Sequence, residues 1–200
     1  MLIRAAKESD IDSVVIVHIK AFDGFFLTML GEDFLRRLYT AFLLEKSGIF
    51  RVVTDSENNI VGFTAGTSAP DLFFSALRKK RWFSFLVAAF PGVLKHPVKV
   101  LRKLYYALFY KGDKPAELLS SALLSSIGVL PEMSGKSIGK VLLADFEQQV
   151  RLVNGSCLYL TTDKFGNESV VCFYTKAGYK VESEFTQPDG RQMLRLIKHL

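Results

Sequence analysis

The chain has little cysteine, little histidine and no long apolar run, and each shortage removes a class of protein. Its 200 residues hold two cysteines, Cys157 and Cys172, and three histidines, His18, His96 and His199. No spacing among them is that of a metal site, so no metal is expected. Two cysteines without a disulfide framework read as reduced, buried thiols of a cytoplasmic protein. The opening MLIRAAKESDIDS puts Glu8, Asp10 and Asp12 where a secretory leader needs an apolar stretch. The longest nearly apolar run, WFSFLVAAFPGVL at residues 82–94, is too short to span a bilayer and contains Pro91. Internal repeats and low-complexity tails are missing too, which excludes solenoids.

What is there is enough for one core. A hydrophobic content of 49% over this length predicts a single domain across residues 1–200. The net charge of +6 is uneven. Residues 71–116 carry ten lysines and arginines against only Asp71 and Asp113, so the remainder is slightly acidic.

Leu2 to Ala5 reads as a first strand, and Ser9 or Asp10 can cap a helix in which Ile11, Val14, Val15, His18 and Ile19 recur at helical spacing. GEDFLRRLYTAFLLEKSG repeats that pattern with an acidic first turn and a glycine beyond its end. IFRVVTD and IVGFTAGTS, joined by SENN, read as an antiparallel hairpin. The basic segment 71–116 is helical and aromatic in composition and broken at Pro91, Pro97 and Pro115. Strand signals return at residues 122–130. A helix from about Gly135 to Leu152, the strand CLYLTTD, the helix NESVVCFYTKAG and the strands YKVESEF and RQMLRLIKHL follow. Without the insertion the order is βααβββαβαββ.

Two stretches carry candidate chemistry. In GVLPEMSGKSIGKVLLADFEQ a strand stops at Pro131, Gly135 and Gly139 relax steric limits, and Ile138, Leu142, Leu143 and Phe146 form the buried face of a helix. Unpartnered N–H groups at that helix start, with Lys136 and Lys140 beside them, fit a diphosphate; an ordinary strand–turn–helix junction also uses glycine. In NESVVCFYTKAGYKV, Tyr174 lies one turn before the helix end at Gly178. A phenol there can protonate a thiolate leaving group, or it is an interface aromatic with a satisfied hydroxyl.

The order strand–Pro–(Gly/Ser)–helix, then strand, then N…FY…GY, resembles the GCN5-related N-acetyltransferases (GNAT). IRAAKESDIDSVVIVH is similar to that family's first strand and helix. The resemblance implies an α/β fold: a single GNAT-like domain with a central, mixed, mostly antiparallel sheet flanked by helices. The basic, aromatic helical insertion at 71–116 would precede the fourth strand. It implies acetyl-CoA as cofactor and an N-acetyltransferase (an acyltransferase) moving its acetyl group to a primary amine by direct attack. Ile127, Gly128 and Val129 on a bulged strand would bond the pantetheine arm. Ser134, Gly135, Lys136, Ser137, Ile138, Gly139 and Lys140 would cradle the pyrophosphate. Asn167 would approach the cofactor, Phe173 would pack on it, and Lys176 would lie near the adenosine end. Tyr174 falls on the acid's position. The family loop is usually (Gln/Arg)-x-x-Gly-x-(Gly/Ala); here Ser134 replaces the long polar residue and Ser137 the first glycine. Serine keeps its N–H, so binding is expected to survive with weaker affinity.

For the general base the candidates are Asp163, His18 and Glu45, with Ser125 and Ser126 binding substrate or positioning water; Asp163 can equally cap the following helix. The insertion reads as a lid over the acceptor pocket, as plain cover or a homodimer face, or, less favoured, as a membrane-surface contact. Nucleic acid is not expected, because its cations are interleaved with apolar runs. The extra cover points to a small-molecule amine or amino sugar as acceptor. The alternatives are a non-catalytic CoA-binding or interaction module and a peripheral membrane protein using the basic insertion.

Overall fold

The computed structural model describes residues 1–80, 83–85, 87–89, 118, 121–187 and 190–200. Seven strands form one sheet: β1 (Leu2–Ala5), β2 (Gly48–Thr54), β3 (Ile60–Thr67), β4 (Ala122–Val129), β5 (Cys157–Asp163), β6 (Lys180–Thr186) and β7 (Gln192–His199). Their order is β1-β2-β3-β4-β5-β7-β6. Every pairing is antiparallel except that of β4 with β5.

Six helices are described: α1 (Ile11–Ala21), α2 (Phe26–Met29), α3 (Glu32–Leu44), α4 (Pro70–Lys80), α5 (Ile138–Leu152) and α6 (Glu168–Lys176). The expected order holds, with α2 as an additional short turn. Asp10 does not cap α1 through its side chain. Its carboxylate instead accepts the Lys7 N–H at 2.7 Å and is gripped by the Arg4 guanidinium, tying β1 to the start of α1. That guanidinium holds the Asp10 pKa below the usual carboxylate range. α5 begins at Ile138, three residues later than the spacing suggested, because Gly135 and Ser137 both have positive φ (78° and 60°).

Period-two alternation along the central strands feeds two cores. Phe50 and Val52 of β2, with Phe63 and Ala65 of β3, pack with Val14, Leu35, Tyr39 and Phe42 of α1 and α3. Val53 and Val61 instead meet Ile138 and Leu142 of α5. A second large cluster joins Leu143, Phe146 and Val150 of α5 to Leu158, Leu160, Leu194 and Leu196 of β5 and β7 and to Tyr174 of α6. Both cysteines are free, Cys157 buried and Cys172 exposed.

Most of the 71–116 insertion lies outside the described residues, and with it the lid, dimer and membrane-surface readings. Its described parts pack as cover: Phe73 stacks on Phe42 with ring centroids 4.5 Å apart, and Phe85 meets Phe34 at 5.1 Å. No helix among the described residues is long and apolar enough to cross a membrane.

Candidate active site

β4 and β5 pair only through Ala122 with Leu158 and Leu123 with Tyr159. Beyond these pairs the ladder stops. On its other side β4 stays paired to β3 as far as Val129 with Gly62, and a register shift leaves Ser125 as the extra residue. A bulge in β4 therefore exists, four residues before the strand's end. The bond from the Leu130 N–H to Val61 makes Gly62 and Val129 a non-hydrogen-bonded pair, so Gly128 bonds toward β3, while the β5-facing backbone groups of Ile127 and Val129 have no ladder partner among the described residues.

A cavity of about 680 Å³ occupies this divergence. Of the residues expected from sequence, it is lined by Ile127, Val129, Gly139, Asn167, Phe173, Tyr174 and Asp163, and also by His18, Ser125 and Ser126. Gly128 is not on its wall: a Cβ there would come within 2.8 Å of the Phe63 ring and 3.2 Å of Phe22, so the residue is set by packing. Ser134, Gly135, Lys136 and Ser137 stand exposed at the mouth of α5, Lys140 is exposed one turn into the helix, and Lys176 is exposed at the end of α6. Glu45 lies away from the cavity, 3.9 Å from Lys80.

The loop before α5 has the geometry of an anion cradle. Ser134 closes a turn onto Pro131, and the first helical bond runs from the Val141 N–H to Ser137. The N–H groups of Gly135, Lys136 and Ser137 appear in no hydrogen bond among the described residues. Those of Ile138 and Gly139 open the helix, where no intrahelical acceptor exists. Positive φ at Gly135 and Ser137 turns successive amides to one side, as in an anion-binding nest. Serine holds this left-handed conformation at Ser137, where the steric argument asked for glycine. A Cβ on Gly139 would lie 3.6 Å from the Phe173 ring, so the loop and α6 touch there. Asn167 is anchored by its Nδ2, which donates to Thr162 Oγ1 on β5.

Tyr174 is buried at 6% exposure, and burial pushes its phenol pKa upward. Its ring meets Phe173 at 5.0 Å and Tyr179 at 5.5 Å, edge to face. No hydrogen bond among the described residues engages its hydroxyl, and it lines the cavity.

Asp163 does not cap α6. Both its oxygens accept from Arg191, the Nε at 3.0 Å and the Nη2 at 2.7 and 2.5 Å. His18 is buried at 2% exposure, its Nδ1 lies 2.6 Å from the Tyr39 hydroxyl, and its Nε2 is buried without a partner among the described residues. Burial lowers its pKa to about 4, so the imidazole is neutral near pH 7. Tyr39 also shares a hydrogen bond with Ser126, and burial raises its phenol pKa. A buried His18–Tyr39–Ser126 chain thus reaches the bulged strand.

Sequence reasoning did not reach Tyr39, Arg191 or the aromatic wall of Phe22, Phe25, Phe26 and Phe185. The phenylalanine cluster in AFDGFF was the available signal for the wall. Nothing local marks Arg191, whose partner is 28 residues distant.

No curated protein matches the chain. The family model described as Acetyltransferase (GNAT) family matches residues 106–179. Among solved structures, the chain is similar to a ribosomal-protein-alanine N-acetyltransferase from Brucella melitensis, with TM-score 0.65, 16% identity and 100% of each chain covered. A chimera of the Vibrio cholerae spermidine N-acetyltransferase SpeG and hSSAT gives 0.62 and 15%, covering 100% of this chain and 96% of that one. The PaiA N-acetyltransferase from Thermoplasma acidophilum, in complex with coenzyme A, gives 0.60 and 14%, covering 100% and 98%. Residues 106–179 thus match the GNAT acetyltransferase family model, and the chain as a whole has a fold similar to that of GNAT acetyltransferases.

Proposed function

We propose that this chain transfers the acetyl group of acetyl-CoA to a primary amine of a small molecule. The observation that carries the reading is the coincidence of three features at one cavity: strands that diverge, a helix N-terminus whose amides no hydrogen bond among the described residues engages, and a buried tyrosine whose hydroxyl is likewise unengaged among them.

Acetyl-CoA, when bound, supplies an activated thioester acyl group. The residues present fit it. Amides of Gly135, Lys136, Ser137, Ile138 and Gly139 suit a pyrophosphate, with Lys136 and Lys140 adding charge. The β5-facing backbone of Ile127 and Val129 suits an amide-bearing arm and offers N–H groups to a carbonyl oxygen on which charge develops, while Gly128 between them bonds toward β3. Phe173 and Asn167 border the same space, and Lys176 is the exposed cation on that side of α6.

Tyr174 holds the proton that a departing thiolate needs. Its raised pKa keeps it protonated across the working range. The same burial penalises a thiolate formed beside it, so the two basicities rise together and proton transfer stays feasible. For the amine's proton, Asp163 borders the cavity but is paired with Arg191, and His18 is neutral with Nδ1 engaged. The test is thiol release from acetyl-CoA with a panel of primary amines, using Tyr174→Phe alongside. Amine-dependent release that falls about 10²-fold or more in the variant, with cofactor affinity kept, is expected; equal turnover in both proteins removes the acid role.

A further inference from the structure

We propose that the acceptor is a small monoamine with an aromatic or aliphatic body, seated against Phe22, Phe25, Phe26 and Phe185. The inference rests on the acyl-transfer reading above and names the acceptor class for the same cavity.

Charge comes first. Among the described residues lining the cavity, the carboxylate and guanidinium groups are those of Asp163 and Arg191, and they are joined to each other. His18 adds no charge near neutral pH. The described wall is therefore close to neutral. A polyamine or aminoglycoside brings several ammonium groups, each needing a carboxylate or water when enclosed. One carboxylate, already held by an arginine, does not meet that demand. Ring faces of phenylalanine accommodate one ammonium, not a chain of them.

Shape and polarity come second. Three of the four phenylalanines lie within five residues of one another, between the end of α1 and the start of α2. Phe26 and Leu27 of α2 also pack with Leu30 and Ala89, so this wall has support behind it. An amino sugar would present several hydroxyls to this surface. Two of the nearby polar side chains are already engaged, Thr162 with Asn167 and Ser126 with Tyr39. An apolar body loses nothing against phenylalanine and gains by leaving water.

Chemistry comes third. The amine must react uncharged, and of the cavity-lining candidate bases Asp163 is held by Arg191 and His18 is buried. A near-neutral apolar wall disfavours the ammonium and lowers the bound amine's pKa. The site then selects the reactive form of a monoamine without a strong base.

The test is calorimetric titration of phenethylamine, spermidine, glucosamine and a Phe-initiated tripeptide into the full chain saturated with CoA. Phenethylamine is expected to bind about tenfold or more tighter than spermidine and glucosamine, a ratio worth 1.4 kcal/mol. Phe25→Glu, at a side chain 46% exposed and so tolerant of change, should weaken phenethylamine about tenfold and tighten spermidine. Spermidine or glucosamine binding as tightly as phenethylamine, or no amine binding, overturns the proposal. A tripeptide that binds tighter than phenethylamine replaces it with a protein N-terminus. If CoA itself does not bind, the acyl-transfer reading fails separately, and the same titration on unliganded protein still decides whether the cavity takes an apolar monoamine.

Discussion

At the scale of single residues, burial sets the chemistry more than charge does. His18 sits among Phe22, Tyr39 and Phe63, with ring centroids 4.7, 5.8 and 6.3 Å away. Below pH 6.5 an unfolded chain takes up a proton at this imidazole that the folded chain refuses until about pH 4. Stability should therefore fall as pH drops across that window and level off beneath it, the lowered pKa costing on the order of 3 kcal/mol at the bottom. Urea melts of the wild type and His18→Gln between pH 4 and 7 check this. The variant should show the shallower dependence, and parallel curves would contradict a neutral buried His18. Asp10 offers the opposite case, a carboxylate whose pKa is held down by Arg4. Stability from that pair is present above the unfolded carboxylate's pKa and is lost as pH falls through the folded one. Removing the partner with Arg4→Met leaves a mostly buried carboxylate and should cost about 1–3 kcal/mol near neutral pH in the same melts.

At the scale of elements, the sequence was most legible where one local signal decides the backbone. Pro131 ends a strand, the polar SENN turns a hairpin, and Ile138, Leu142, Leu143 and Phe146 write a helix face; each reads the same in the fold. The first strand, the first helix and the strand–turn–helix junction after Pro131 were therefore visible from spacing alone. Less visible was anything built by distant contacts. The phenylalanines of AFDGFF look like ordinary core, and only the divergence of β4 from β5 turns them into a cavity wall. Asp163 looks like a base or a cap until folding brings Arg191 to it. The helix start was misplaced because left-handed Ser137 breaks the expectation that glycine takes such positions. Close approach is similarly hidden: Gly66 admits no Cβ, since one would lie 2.2 Å from the Leu123 carbonyl and 2.5 Å from the Phe146 ring. Gly66→Ala, at the strand pair beside the bulge, should therefore destabilise by about 1–3 kcal/mol or more. A denaturation midpoint equal to wild type would show that β3 and β4 are not packed so tightly.

At the scale of the whole molecule, the sheet's one parallel pairing places the cavity. β1 to β4 and β5 to β7 form two antiparallel groups, joined where β4 and β5 share only two residue pairs. Helices α1 and α3 brace the first group, while α5 packs both on Val53 and Val61 of that group and on Leu158, Leu160, Leu194 and Leu196 of the second. The result is a gap with an amide-rich loop at one side and an aromatic wall within it, the space in which the proposed cofactor and acceptor would meet. The basic insertion enters this picture through α4 and the residues packed on α2 and α3.

The gap between β4 and β5 is proposed to hold acetyl-CoA. Calorimetric titration of acetyl-CoA into the wild type and Gly139→Trp, with melting temperatures taken on both, tests it most directly. The indole would fill the contact between the loop and Phe173, 3.6 Å from that glycine's Cβ position. Low-micromolar binding, about −8 kcal/mol, that the folded variant loses is the predicted result. No binding by a folded wild type, or equal binding by both proteins, would contradict it.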